Sequence, residues 1–407
     1  MQSARLDTLP GMDGRELKGR AAISGLGISE MGRVYGHDAQ HFAAEAIQRA
    51  VEDAGLRKEQ IDGLLVNPGV TPLGGMGGVG LQNYLGLTNL RLLSSMNCGG
   101  ATANIMVQYA AMHVVHGLAN HVVCVFADAP LQEKRGGGAA YASMGRTTRP
   151  SGMGGLYSAF GVFGINAHYA LAARRHMAMH GTTNDHFGAI AIAERQWAAM
   201  NPIAEHREPI TLEDYHASRW VAEPLHLLDC CLVSNGGVAV IVSRAEEARD
   251  LRQPPAYIWG MGQGHPGDLR RRGWDVETRT GAPLAKERAF AMAGITIEDI
   301  DIVQAYDCYT YTVLVTLEDY GFCKKGEGGP FVADGKLGPG GSLPTNTGGG
   351  QLSAYYMWGM TPLSEGVIQT RGQGGERQVA KHDVVLVTGN GGILDHHSTL
   401  VLSPHAA

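Results

Sequence analysis

Short apolar strands alternate along this chain with helices closed by glycine, and one such unit occurs twice. The segment AVEDAGLRKEQID at 50–62 aligns without a gap with AFAMAGITIEDID at 289–301. Ala50, Ala54, Gly55, Glu59, Ile61 and Asp62 recur as Ala289, Ala293, Gly294, Glu298, Ile300 and Asp301, and Leu56 becomes Ile295. Each copy reads as a helix stopped by glycine, a short turn and an apolar strand, at 64–66 and at 302–304. Matching strands precede the helices, ISGLG at 23–27 and IWGMG at 258–262, and a third pair follows, HVVCVF at 121–126 and DVVLVT at 383–388.

Strand–helix alternation of this kind predicts a sheet covered on both faces. Two similar halves, 1–250 and 255–407, would then pack into one layered α/β body. An insertion at about 130–220 has no counterpart in the second half. Its glycine clusters, Gly136 to Gly138 and Gly152 to Gly155, read as turns, and its stretches near 158–180 and 184–199 read as helices. Such an insertion on a rigid scaffold predicts a cap facing the substrate.

The distribution of charge sharpens this picture. From 63 to 127 there is no Asp or Glu, and Arg91 is the only Arg or Lys, which predicts burial on nearly every side. Within it, CGGATANIMVQYAAMHVVHG at 98–117 is apolar around most of its circumference, the pattern of a helix at the centre of a protein. Cys98 opens that helix.

Composition excludes several classes. Glycine is 58 of 407 residues, roughly twice the usual share, yet 44% of residues are hydrophobic, proline is only 17, and there is no G-X-Y period. Collagen, linkers and disordered tails are therefore ruled out. A net charge of −6 gives no basic surface for nucleic acid. No apolar run approaches the ~20 residues of a membrane span. MQSARLDTLPGMDGRE lacks the apolar segment of a signal peptide, so a cytoplasmic protein with reduced cysteines is expected. Most of Cys98, Cys124, Cys230, Cys231, Cys308 and Cys323 should be small core residues.

GMGGVG at 75–80 fits G-x-G-x-x-G, but no acidic residue follows before Asp128, so a nicotinamide dinucleotide site is rejected. Adjacent residues on a strand point to opposite faces, so neither Cys230-Cys231 nor His396-His397 readily supplies two ligands to one metal. Cys98 is a stronger candidate. A helix N-terminus favours thiolate, and Gly99 and Gly100 leave room beside the sulfur, so a pKa below the ordinary value is expected. Cys308 lies in QAYDCYTYT, at the strand-to-helix corner where α/β folds place their chemistry. The clusters NTGGG at 346–350 and TGNGG at 388–392 are candidate oxyanion and substrate loops, because only glycine lets backbone amides approach so closely.

Together these residues resemble the thiolase superfamily, in the branch of sterol-carrier-protein-type thiolases and lipid-transfer-protein-like acyl-CoA enzymes. The similarity spans nearly the whole chain. It includes NCGG around Cys98, LLDCCLVSNGGVAVIVS at 227–243, YDCYTYTVLVTLEDYGFCKKGEGGPFV at 306–332, LPTNTGGGQLS at 343–353 and TGNGGILDHHSTLVLS at 388–403. It implies a thiolase-like, five-layered αβαβα fold of two repeated halves, with Cys98 as nucleophile. The branch's H-D-C-F motif reads Tyr306-Asp307-Cys308-Tyr309 here, so Cys308 carries over as the second catalytic cysteine and Tyr306 replaces the histidine. The G-H-P motif expected after NTGGG is replaced by AYYMWGM, and no histidine stands between His265 and His382. Related lipid-transfer-protein aldolases, which cleave side chains of steroid-CoA thioesters, use tyrosines from these two motifs. The matching positions are Tyr306 and Tyr356, with Tyr355 adjacent.

Two retained cysteines argue for acyl transfer, and the missing histidine argues for the aldolase. The leading expectation is a thiolase-type enzyme acting on a 3-oxoacyl-CoA. Cys98 would take the acyl group and Cys308 would move protons. Amides of Cys98 and of Gly391 or Gly392 would hold a thioester oxygen, and Asn346, Gly349, Asp307 and His397 are further candidates for binding substrate. The alternative is a CoA-thioester retro-aldolase with Tyr306 and Tyr356 as acid and base. A third is a non-catalytic acyl-CoA-binding subunit. The resemblance also implies coenzyme A as substrate or product with no tightly bound cofactor or metal, a homodimer, and a small partner combining a zinc ribbon with an OB fold.

Overall fold

The computed structural model describes residues 14–139, 141, 152–162, 164–267 and 278–407. Nine strands form one sheet: β1 (Ala21–Ile28), β2 (Gly63–Asn67), β3 (Leu92–Ser95), β4 (His121–Asp128), β5 (Gly236–Arg244), β6 (Ala256–Gly264), β7 (Ile302–Gln304), β8 (Val385–Gly391) and β9 (His396–Ser403). Their order is β3-β2-β4-β5-β1-β6-β9-β8-β7. The run β2-β4-β5-β1 is answered by β7-β8-β9-β6, with the same parallel and antiparallel pairings. The two runs meet between β1 and β6 through only two residue pairs, Ala22 with Tyr257 and Ile23 with Ala256.

The duplicated helices are α1 (Ala39–Ala54) and, in the second half, Ala282–Ala293, each ended by a left-handed glycine, Gly55 or Gly294. Alanine recurs on the buried face of each, so the helix backbone lies close to the sheet. A Cβ on Gly27 would stand 2.0 Å from the Ala46 carbonyl, and one on Gly262 would stand 2.0 Å from the Ala285 carbonyl. The same intimate contact is thus built twice.

Between the two runs of strands lies a pair of helices, α2 (Thr102–Val115) and the helix Met360–Thr370, each touching strands of both halves. The layers are therefore outer helix, one run of the sheet, central helices, the other run of the sheet and outer helix. Ten of the fourteen residues of α2 are buried, as its apolar circumference requires.

Three expectations change. First, α2 begins at Thr102 with Ala101 as its cap, so Cys98 sits in the turn before the helix. Second, Gly152–Ala159 is helical, whereas Gly152 to Gly155 read as a turn. Third, the charge-free stretch is not buried all round, because Met76, Val79, Tyr84, Tyr109 and Met112 are exposed. Met76, Val79 and Tyr84 lie in or next to the helix Gly78–Leu85, which packs on β3, the edge strand of the sheet, while Tyr109 and Met112 lie on α2. The insertion separates β4, ending at Asp128, from β5, starting at Gly236, while the equivalent β8 and β9 are joined directly. It contributes the helices Gly164–His180 and Asn184–Ala199, and its residues 142–151 lie outside the described set. Among the described residues, no helix is long and apolar enough to cross a membrane.

Replacing Gly27 or Gly262 by alanine forces a methyl into a backbone carbonyl and should cost about 1–3 kcal/mol of unfolding free energy. Urea denaturation monitored by circular dichroism measures this, and an unchanged midpoint in both variants would contradict the packing described.

Candidate active site

The site forms where two loops from different halves touch. Gly391, at the end of β8, comes so close to the NCGG turn that a Cβ there would lie 1.8 Å from the Cys98 carbonyl. A Cβ on Gly100 would lie 2.1 Å from Cε2 of Tyr306. The glycines after Cys98 therefore serve close approach, and what approaches is the Tyr306 ring and the second half's glycine turn.

Cys98 itself is half-buried. Its backbone N–H donates to the Thr102 hydroxyl at 2.8 Å, and the Gly99 N–H donates to Asn97 Oδ1 at 3.0 Å. The Cys98 amide is thus already engaged and is not free to hold a thioester oxygen as expected. Burial pushes the Cys98 thiol up, the opposite of the helix-terminus expectation. The reason is geometric: the sulfur precedes the first turn of α2 instead of capping it, and desolvation of the thiolate goes uncompensated.

Tyr306 leaves the end of β7 beside Cys98, and its hydroxyl lies 3.3 Å from that of Tyr356. Tyr355 is not the partner, since its hydroxyl pairs with Ser364 at 2.7 Å within the core. Tyr356 is placed by its backbone N–H, which donates to Ser234 Oγ at 3.0 Å. Both phenols are held well above the ordinary tyrosine range, first by burial and then by neighbouring ionisable groups, with Cys308 foremost for Tyr306 and Tyr306 foremost for Tyr356. They are therefore neutral donors at physiological pH. Among the described residues, no histidine is hydrogen-bonded to Cys98, Tyr306 or Tyr356.

Cys308 belongs to the same cluster. Burial raises its thiol to about 12, partly offset by hydrogen bonds with Tyr169 and Thr312. Several members of the cluster carry no sequence signal of their place in it. The Cys231 N–H donates to the Cys308 carbonyl at 3.0 Å. Tyr169 donates to the Gly392 carbonyl at 3.2 Å and accepts from Asn390 Nδ2 at 3.1 Å. Tyr309 donates to Asn166. Tyr141 accepts from Trp358 Nε1 at 3.4 Å, and its ring lies 6.1 Å from that of Tyr356. Tyr141, Asn166 and Tyr169 come from the insertion, which therefore reaches the site.

The other expected substrate ligands lie behind the site. Asn346 is buried, accepting from the Ala305 N–H at 2.7 Å and donating to Glu194 at 2.8 Å. A Cβ on Gly349 would meet Ala198 at 2.5 Å. Asp307 is fully buried and accepts from the N–H groups of Gln351 and Leu352 at 2.6 and 3.2 Å. The cavity that Asp307 and Asn346 line is about 10 Å³, near the size of one water and far too small for an acyl chain. His397 is fully buried against Tyr320, at 3.0 Å, and burial lowers its pKa to about 3. NTGGG, Asp307 and His397 thus pack the frame of the site and do not line it. Among the described residues no group of three or more metal-ligating side chains assembles.

Repeated halves that press a cysteine turn against a glycine turn across their seam are the architecture of thiolase-like enzymes. A family model described as "Thiolase C-terminal domain-like" matches residues 270–404. The "Steroid side-chain-cleaving aldolase" of Thermomonospora curvata is 38% identical over 383 residues, 92% of this chain and 96% of that protein. The "17-hydroxy-3-oxo-4-pregnene-20-carboxyl-CoA lyase" of Mycobacterium tuberculosis is 37% identical over 386 residues, 93% of this chain and 98% of that protein. Among solved structures, the "Ltp2-ChsH2(DUF35) aldolase" superposes with a TM-score of 0.83 at 36% identity, covering 95% of this chain and 98% of that one. The chain belongs to the thiolase superfamily, in its sterol-carrier-protein-thiolase-like branch.

A buried, raised thiol should be a slow nucleophile. Alkylation of Cys98 by iodoacetamide, followed by peptide mass spectrometry, should be slower at neutral pH than for a free thiol and should still be climbing near about pH 9. A rate already at its plateau at neutral pH would show an activated thiolate and contradict this.

Proposed function

We propose that this protein is a retro-aldolase of CoA thioesters, cleaving the bond between the α- and β-carbons of a β-hydroxyacyl-CoA whose acyl part is a steroid side chain or a similarly bulky group. The observation that carries this reading is the contact between the Tyr306 and Tyr356 hydroxyls at 3.3 Å, beside a Cys98 whose amide is occupied and whose thiol burial has raised. The relatives named for aldolase and lyase activity support it over the thiolase reading, which needs an activated cysteine.

The chemistry balances without an external reactant. The β-hydroxyl gives up its proton as its C–O bond becomes a carbonyl. The Cα–Cβ bond breaks, its electron pair forming the thioester enolate, and a proton returns to Cα. Two neutral phenols in contact can carry that proton in a relay. One accepts from the substrate hydroxyl while passing its own proton to the other, which donates toward the enolate. Neither tyrosine has to ionise, which suits their raised pKa values.

The proposed assembly has two parts. A small partner of the DUF35 type would work with this chain, on the pattern of the superposed Ltp2-ChsH2(DUF35) aldolase. A second copy of the chain would cover the exposed apolar residues beside edge strand β3, since an open strand edge next to Met76, Val79 and Tyr84 is a surface that invites pairing.

With a β-hydroxy steroid-CoA thioester, Tyr356→Phe should lower kcat by roughly a hundredfold or more, while Cys98→Ala should retain cleavage. The opposite pattern, with an acyl adduct on Cys98 seen by mass spectrometry, would favour thiolysis. Size-exclusion chromatography with light scattering should give twice the mass of one chain, and a single-chain mass would remove the dimer.

A further inference from the structure

Behind the tyrosine pair lie two carboxyl groups that the proposed chemistry does not use. Glu194, from the inserted helix Asn184–Ala199, and Asp307, next in the chain to Tyr306, are both buried. Both flank the same point: a Cβ on Gly350 would stand 2.1 Å from Asp307 Oδ2 and 2.5 Å from Glu194 Oε2. Two carboxylates buried at one point repel, and Glu194 Oε2 has no hydrogen-bond partner among the described residues, so a proton on one carboxyl is what would join the pair.

The surroundings say which. Asp307 accepts two backbone N–H groups, from Gln351 and Leu352, which favour its ionised form. Among the described residues Glu194 accepts only the Asn346 side-chain amide, at 2.8 Å. Burial raises both, Asp307 to about 6 and Glu194 well above the ordinary carboxyl range. These surroundings favour the proton on Glu194, with Asp307 as the acceptor beside it.

The pair's position gives it a consequence. Asp307 is fused to Tyr306, and the amides it holds belong to the π-turn Gly350–Ala354, whose next residues are Tyr355 and Tyr356. The same inserted helix grips that turn a second time, with Arg195 Nε donating to Ser353 Oγ at 2.9 Å. Ala198 packs against Gly349 just before it. The turn is thus clamped between the strand end that carries Tyr306 and a helix from the insertion.

We propose that Glu194 and Asp307 are positioning residues whose shared proton locks the Gly350–Ala354 turn to the end of β7 and so sets the separation of the Tyr306 and Tyr356 hydroxyls. The activity arm of the test rests on the retro-aldolase reading, while the spectroscopic arm does not. In the full chain, with its partner where one is required, Glu194→Gln keeps the donor to Asp307 and the acceptor for Asn346 without a titrating proton. It should hold kcat within about threefold of wild type. Glu194→Ala leaves the Asp307 carboxylate without its donor and should lower kcat by roughly ten- to a hundredfold with little change in KM, because the tyrosines shift while the substrate walls remain.

Independently, the infrared difference spectrum of wild type minus Glu194→Gln at neutral pH should show the carbonyl stretch of one protonated carboxylic acid. Absence of that band overturns the shared proton, even if Glu194→Ala fails to fold. Full kcat in a folded Glu194→Ala overturns the positioning role. A wild type with the band present and no retro-aldol activity would instead leave the clamp standing and remove the function proposed for the tyrosines.

Discussion

Everything in the candidate site depends on one contact between the halves, the close packing of Gly391 on the carbonyl of Cys98, where no side chain fits. That contact brings the end of β8 against the turn that precedes α2. It leaves Gly100 flush with the ring of Tyr306, and with that ring fixed the Tyr356 hydroxyl has a partner. Glycine at these positions is a demand of sterics, independent of any chemistry the cysteine performs. The cysteine motif can therefore persist in a site that has ceased to use the thiol.

Burial then decides what chemistry the site can support. Cys98 and Cys308, and Tyr306 and Tyr356, are all shifted toward their neutral forms by desolvation. Among the described residues no cation or histidine contacts them to offset that shift. A site of this kind is poorly suited to a free thiolate and well suited to hydrogen-bond donation and to proton transfer along contacting hydroxyls. The thioester enolate of a retro-aldol cleavage is an acceptor matched to such donors.

The duplication was legible because it is periodic: the strand glycines that let helix backbone approach sheet backbone recur, Gly27 as Gly262, and the helices they face end alike at Gly55 and Gly294. Tyr306 was a legible candidate because Asp307 and Cys308 still mark the motif's place, and Tyr356, with Tyr355 beside it, because NTGGG marks where the replaced motif should follow. What sequence could not supply was direction. Asn346, Gly349, Asp307 and His397 look like site residues by their neighbours, yet each turns into the packing, and one-dimensional order does not encode which way a loop residue faces. The same limit hid Tyr169 and Glu194, which lie in helices that carry several polar residues each, with nothing in the sequence to mark which of them turns inward. The expected lowering of the Cys98 pKa fails for a smaller reason, since the cysteine stands in the turn ahead of Thr102, the first residue of α2.

The two-pair seam between β1 and β6 has its own consequence for how the molecule loses activity. The strand ladder is thin at the seam, and the halves are joined across it by side-chain bonds instead, such as Asn104 Nδ2 donating to the Val387 carbonyl at 3.2 Å and Gln108 Nε2 donating to the Thr399 carbonyl at 3.1 Å. The site straddles that seam. A small parting of the halves would separate Gly391 from Cys98 and Tyr306 from its loop while leaving nearly every strand and helix intact, so function is exposed to stress well before secondary structure is.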